Sequence, residues 1–378
     1  MDEHRGLFAE REDGPEAGLA ELVAKLIGQG MSPREVAEQI EKTLPEILPK
    51  LGAIFLDSLK KQALEMFKDR TALRDRFSRR LRKLWGHPLR LLRMLIEAAR
   101  ETGEEYCKEH RPRAVRENDL VFEALVRLHA RSCLVADEVS WLLEGGYASG
   151  AHSRWRTLHE LTTIAYFIQE KGQAVAERYL LHHIVVSSKA ADEYQRFCQR
   201  LGQEPYSAEE IEEFHKDRDE LCRRFGPAYR EDWGWAAEAL HNPRPRFTDI
   251  ERAVSLDHLR PYFKLACHSN HAGSKGLWYD LGNTLNPEGS DPALAGPSNA
   301  GLSEPGICTA LSLCQVTTAL LMHGELNVTT LMIATALRQL SQEAQEAFAE
   351  VDAELEDRAP KVRERLQRFE ARREQRTQ

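Results

Sequence analysis

Between Asn118 and Gly146 the chain carries the frame that most restricts its fold. Leu125, Leu128, Leu134, Val135, Val139 and Leu142 fall at helical spacing, opened by Asn118-Asp119 and closed by Gly145-Gly146. An aspartate before the first apolar turn accepts the unpaired amides of a helix start, and glycine ends a helix because it reaches left-handed backbone without steric cost. The design recurs in Tyr147 to Lys171, stopped by Gly172, in Gln173 to Leu201, and in Ser207 to Phe225. None of these segments alternates as a strand would. Consecutive helices on short joints pack antiparallel, so the predicted class is an all-α multi-helix bundle.

The flanks follow the same logic. Residues 1–17 are charged with little to bury, which predicts disorder. Leu19 to Ile27 reads as a short helix ended by Gly28 and Gly30, and Ser32-Pro33-Arg34-Glu35 as a capping box starting a helix through Leu44. These make a small N-terminal appendage ending near Gly52, followed by helices Ile54 to Leu84 and Pro88 to Lys108. The predicted organisation is N-terminal helices over 18–112, a core helical domain over 113–341, and a charged helical tail over 342–378. Within the core domain, the Pro- and Gly-rich region from Gly226 to Gly306 holds one helix, Leu256 to His271, and a long ordered loop over 280–305. Gly306 to Leu340 reads as one apolar helix. Pro360 should interrupt the tail, and the terminal ARREQRTQ should fray.

A chain of 378 residues can bury one large core or two ordinary ones. A net charge of −8 argues against wholesale binding to nucleic acid or acidic lipid, but charge acts through its distribution. From Lys68 to Arg93 ten Lys and Arg residues stand against two Asp. Either this is a solvated face whose long stems cover apolar surface, or Arg79, Arg80, Arg82 and Lys83 track a phosphate backbone. The seven cysteines form no CxxC pair and are odd in number, so neither a disulfide framework nor a thiolate zinc site is indicated. The first 18 residues lack a signal peptide's apolar centre, and no apolar run is long enough to span a membrane. The expected location is the reduced cytoplasm, with no membrane partner.

Chemistry-bearing residues concentrate in Tyr147 to Ile168, which holds His152, Arg154, Arg156, His159 and Glu160. Arg156, His159, Glu160 and Thr163 share a helix face, with His152 one turn before. Arg154 and His159 stand roughly 140° apart on a regular helix and converge only across a distorted turn or a dimer. A plain reading of the cluster is an Arg156–Glu160 pair with a satisfied histidine beside it. His182, His183, His268 and His271 are further candidates. There is no HExxH, no ExxH repeat, no P-loop and no GxSxG elbow, so no metal and no cofactor is expected.

Four blocks carry a resemblance: RWRTLHEL (Arg154 to Leu161), AERYLLHH (Ala176 to His183), HLRPYFKLACHSNHAGSKG (His258 to Gly276) and LAGPSNAGLSEPG (Leu294 to Gly306). Together they resemble a family of bacterial all-helical proteins known as a domain of unknown function, over about 115–340. That resemblance implies a helical fold and no established activity. Separately, Arg154 and His159, with four residues between them, resemble the catalytic motif of HEPN ribonucleases, although Trp155 stands where that family usually has a polar residue. The resemblance implies metal-independent cleavage of single-stranded RNA, usually by a dimer, in toxin or antiviral defence systems. Histidine then moves the proton, arginine stabilises phosphate charge, and Glu160 orients the histidine. On that reading Arg154, Arg156, His159, Glu160, His182 and His271 are the catalytic candidates, and a homodimer or a defence-system protein is the expected partner. The alternative is a non-enzymatic binding or scaffold module whose His/Arg cluster is structural.

Overall fold

The computed structural model describes residues 23–25, 27–271, 273–278, 281, 296–324 and 327–377. The expected disorder of residues 1–17, and most of the expected 280–305 loop, lie outside the described residues. The chain divides into two compact units, residues 1–79 and 80–378. One helix, α1 (Pro33–Glu117), contributes to both. The Ser32–Glu35 capping box forms as the sequence implies: the Glu35 carboxylate accepts from Ser32 N at 2.8 Å.

The expected separate helices do not form. The backbone stays helical through Pro45, Pro49, Gly52 and Pro88. In the second unit the reason is visible. Leu81, Trp85, Leu89, Leu92, Leu95, Ile96 and Ala99 recur at helical spacing and are all buried. Each large side chain buried this way is worth about 2 kcal/mol. Together they outweigh the roughly 3 kcal/mol that a proline costs inside a helix.

The rest of the second unit is built from α2 (Leu120–Glu144), α3 (Ala148–Lys171), α4 (Gln173–Phe197) and α5 (Ala208–Phe225), then α6 (Phe247–Ala253), α7 (Arg260–Asn270), α8 (Ser274–Trp278), α9 (Ser303–Leu321) and α10 (Val328–Thr377). The punctuation read from the sequence acts as expected. Asp119 accepts from Phe122 N at 2.9 Å to open α2, and Gly172, at φ +78°, ends α3. The described residues contain helices and turns and no strand.

α3 is the central element, with α2, α4, α6, α7 and α9 packed around it. Its Ala151, Trp155, Leu158, Ala165, Phe167 and Ile168 are buried. The expected single helix from Gly306 to Leu340 is instead two. The chain reverses between Leu321 and Val328, with Gly324 at φ +93°, so α9 and α10 pack against each other. A single rod would have left both apolar faces without a partner. Pro360 lies within α10, and the last residues stay helical to Thr377. Of the expected loop, the described part lies on the body: Ser298 N donates to Gly146 O at 2.9 Å, and Asn299 O accepts from Trp85 Nε1 at 2.8 Å. Ser298 Oγ accepts from Ala300 N at 3.1 Å, the geometry of a local turn.

Candidate functional site

Because α3 is surrounded, each of its faces meets a different neighbour. Trp155 and Thr162 turn toward α9, where Trp155 Nε1 donates to Ser312 Oγ at 3.0 Å and Thr162 Oγ1 lies 3.1 Å from Ser312 O. Arg154 turns toward α2 and pairs with Glu138. His152, Arg156, His159, Glu160 and Thr163 form a polar stripe, and His159 meets α6 and α7.

His159 has no exposed surface, and its Nε2 lies 3.0 Å from Glu251 Oε1, itself fully buried on α6. The carboxylate accepts, so Nε2 carries the proton. The second oxygen of Glu251 accepts from Arg260 Nη1 at the start of α7. A buried carboxylate is tolerable only when donors surround it, and two arrive here from different elements. α6 is held in register by Asp249, whose carboxylate accepts from Arg246 N at 2.9 Å.

Toward solvent the network continues through Arg156, whose Nη2 donates to Glu160 Oε1 at 3.1 Å. Phe263 lies between two cations, with the guanidinium carbons of Arg156 and Arg260 at 4.9 and 5.0 Å from its ring centroid. Burial pushes the Glu160 carboxyl upward against the opposing pull of Arg156. Among the described residues, Arg156 Nε, His159 Nδ1 and Thr163 Oγ1 are buried without a hydrogen-bond partner, the condition that ordered water or a ligand atom relieves.

The structure therefore brings Arg156, His159 and Glu160 together and gives the other predicted residues separate partners. Arg154 and His159 occupy different faces, as helical geometry requires. His152 is buried beside Trp155, and its Nε2 lies 3.2 Å from Glu304 Oε1 without the alignment of a hydrogen bond. Burial holds its pKa down to about 4, so at neutral pH it is an uncharged core side chain. His182 Nε2 sits between the carbonyls of Tyr229 and Glu231, at 3.1 and 3.0 Å, and so donates to fix α4 against the segment after α5. Burial lowers its pKa also. His183 Nδ1 faces Leu180 O of its own helix at 2.8 Å. His271 is exposed at the end of α7, and His268 is half-buried. Arg79 is exposed in the first unit, and Arg80, Arg82 and Lys83 are exposed in the second.

Sequence reasoning missed Glu251, Arg260 and Phe263 as members of the cluster. Arg260 and Phe263 fall in a block noted only for resemblance. Glu251 had no local signal, because it lies 92 residues from His159.

Residues 122–289 match a family of unknown function (DUF5677). The match covers just under half of the chain and falls within the stretch, about 115–340, that resembled a domain of unknown function. DUF5677 spans the helices that supply Arg156, His159, Glu160, Glu251 and Arg260, and it contains three of the four blocks quoted above. The LAGPSNAGLSEPG block lies beyond it. No curated protein and no solved structure matches this chain. Among the described residues no group of three or more His, Cys, Asp or Glu side chains is placed to hold a metal ion. Nor, among the described residues, is any helix long and apolar enough to cross a membrane.

Proposed function

We propose that this chain is a non-enzymatic helical binding or scaffold protein, in which the His159–Glu251–Arg260 network is structural. One observation carries the reading: His159 has no exposed surface and spends its Nε2 on Glu251. A general acid or base must come within hydrogen-bond reach of the proton it moves, and a sealed imidazole has no such approach. The separate pairing of Arg154 with Glu138 supports the same reading, since it directs the other half of the HEPN-like motif toward α2.

The exposed cations Arg80, Arg82 and Lys83 suit an anionic partner, and single-stranded RNA held without cleavage is one such partner.

The competing function is a HEPN-like metal-independent endoribonuclease. Labelled single-stranded RNA incubated with the full chain in EDTA separates the two, with His159→Ala and Arg154→Ala alongside. The expected result is no cleavage above a protein-free blank. EDTA-resistant cleavage that disappears in Arg154→Ala would overturn the binding reading. That variant removes a half-buried pair outside the sealed His159–Glu251 core, so it keeps the comparison readable if His159→Ala fails to fold.

A further inference from the structure

α3, α9 and α10 leave a groove of about 710 Å³ between them. Small-molecule sites commonly occupy roughly 300–1,000 Å³ and combine apolar walls with a few convergent polar groups. Here the walls are Tyr166, Leu311, Leu331 and Ala334. Most polar groups along the groove are already engaged by their own helices. Thr318 Oγ1 donates to Cys314 O, Thr335 Oγ1 to Leu331 O, and Gln342 Nε2 to Glu346 Oε1, at 2.8, 2.8 and 2.9 Å. Gln345 Nε2 donates to Ser341 Oγ at 3.1 Å.

Two groups remain. Gln315 Oε1 is buried without a hydrogen-bond partner among the described residues. Arg338 lines the groove and has no ion-pair partner among them, while Glu346, the carboxylate of the lining, already accepts from Gln342. A guanidinium is shaped to take two carboxylate oxygens at once. An orphaned amide oxygen calls for a donor, from water or from a ligand.

We propose that this groove binds a small organic carboxylate with a flat apolar body. The carboxylate pairs with Arg338, the body lies against Tyr166, Leu311 and Leu331, and Gln315 Oε1 takes its donor from water. A bare inorganic anion would leave the apolar walls unfilled, and a neutral apolar molecule would leave Arg338 unused. The inference goes beyond the reading of the chain as a binding or scaffold protein and does not depend on the RNA experiment. Cleavage of RNA would overturn that reading and leave this site untouched.

The test is calorimetric titration of the full chain with 2-naphthoate, beside acetate, which has the charge without the body, and 2-naphthamide, which has the body without the charge. Saturable binding of one 2-naphthoate per chain is expected, at least tenfold tighter than either control. Arg338→Met, a change at an exposed helical position, should weaken it at least tenfold with the circular dichroism spectrum unchanged, and Arg338→Lys should restore part of the loss. Three results overturn the proposal: no saturable binding of 2-naphthoate, equal binding by Arg338→Met, or equal binding of 2-naphthamide.

Discussion

Nε2 of His159 lies 3.0 Å from Oε1 of Glu251, and neither side chain exposes any surface. Removing one partner of such a pair strands the other in the interior, which costs more than the pair itself contributes. Glu251→Ala should destabilise the chain by about 3 kcal/mol, because both His159 and Arg260 lose their acceptor. Glu251→Gln keeps an acceptor oxygen and should fall between this variant and wild type. Urea unfolding measures both, and a loss below about 0.5 kcal/mol for Glu251→Ala would refute the structural role, since that is the size of an ordinary surface change.

His129 sits in a buried polar cluster with Thr317 and Cys133. Thr317 Oγ1 donates to Leu313 O at 2.8 Å, so it accepts from His129 Nε2 at 3.1 Å, and the Cys133 sulfur lies beside the ring, 3.7 Å from Nε2 and 3.9 Å from Nδ1. Burial lowers the His129 pKa from 6.5 to about 4 and lifts Cys133 to about 12, both consistent with neutral groups. His152 is lowered to about 4 in the same way. The sign follows. Between pH 6.5 and 4 the unfolded chain binds protons that the folded chain refuses. Stability should therefore be insensitive to these histidines above that window and fall as pH drops through it, by up to roughly 3 kcal/mol for each. Urea unfolding at pH 7, 6, 5 and 4 should show the slope, and His129→Gln should flatten it; an unchanged slope in that variant would refute the assignment.

Gly103 in α1 faces the same histidine. A Cβ placed there would lie 2.3 Å from His129 Cε1 and 2.5 Å from Nδ1. In an open helix, Gly→Ala stabilises by about 1 kcal/mol. Here the contact reverses the sign, and Gly103→Ala should destabilise by about 1–3 kcal/mol. Adding His129→Ala to Gly103→Ala should cost less than the two single effects combined, because the second change opens the space the first one needs. Thermal melts of the four proteins check the cycle.

Asp119 joins two parts of the fold through its two oxygens. Oδ1 caps α2 at Phe122 N, 2.9 Å away, and Oδ2 accepts from His323 Nε2 at 2.8 Å. Burial raises its pKa, but these hydrogen bonds outweigh burial and hold it below the usual value. Asp119→Ala should cost about 1–2 kcal/mol, while Asp119→Ser keeps the cap and should recover roughly half of the loss. An unchanged denaturation midpoint in Asp119→Ala would remove the cap's significance.

What could be read locally came out as expected. The caps at Ser32–Glu35 and Asp119, and the stops at Gly145 and Gly172, depend on residues within a few positions of one another. The Arg156–Glu160 pair is of this kind, since i+4 spacing alone places the two side chains together. The error at Pro88 fell where a local preference met a tertiary contact. Pro88 signals a break, yet Trp85, Leu89 and Leu92 bury enough surface to carry the helix past it.

The sequence by itself determined an all-α protein with its chemistry-bearing residues concentrated on α3, because periodicity and caps are properties of neighbouring residues. Only the tertiary structure decided which of the histidines of α3 hydrogen-bonds a carboxylate. Glu251 reaches His159 across 92 residues, and Arg260 reaches Glu251 from the next helix. Burial without compensation is too costly for a carboxylate, so those distant donors had to converge on it. No helical spacing encodes that convergence.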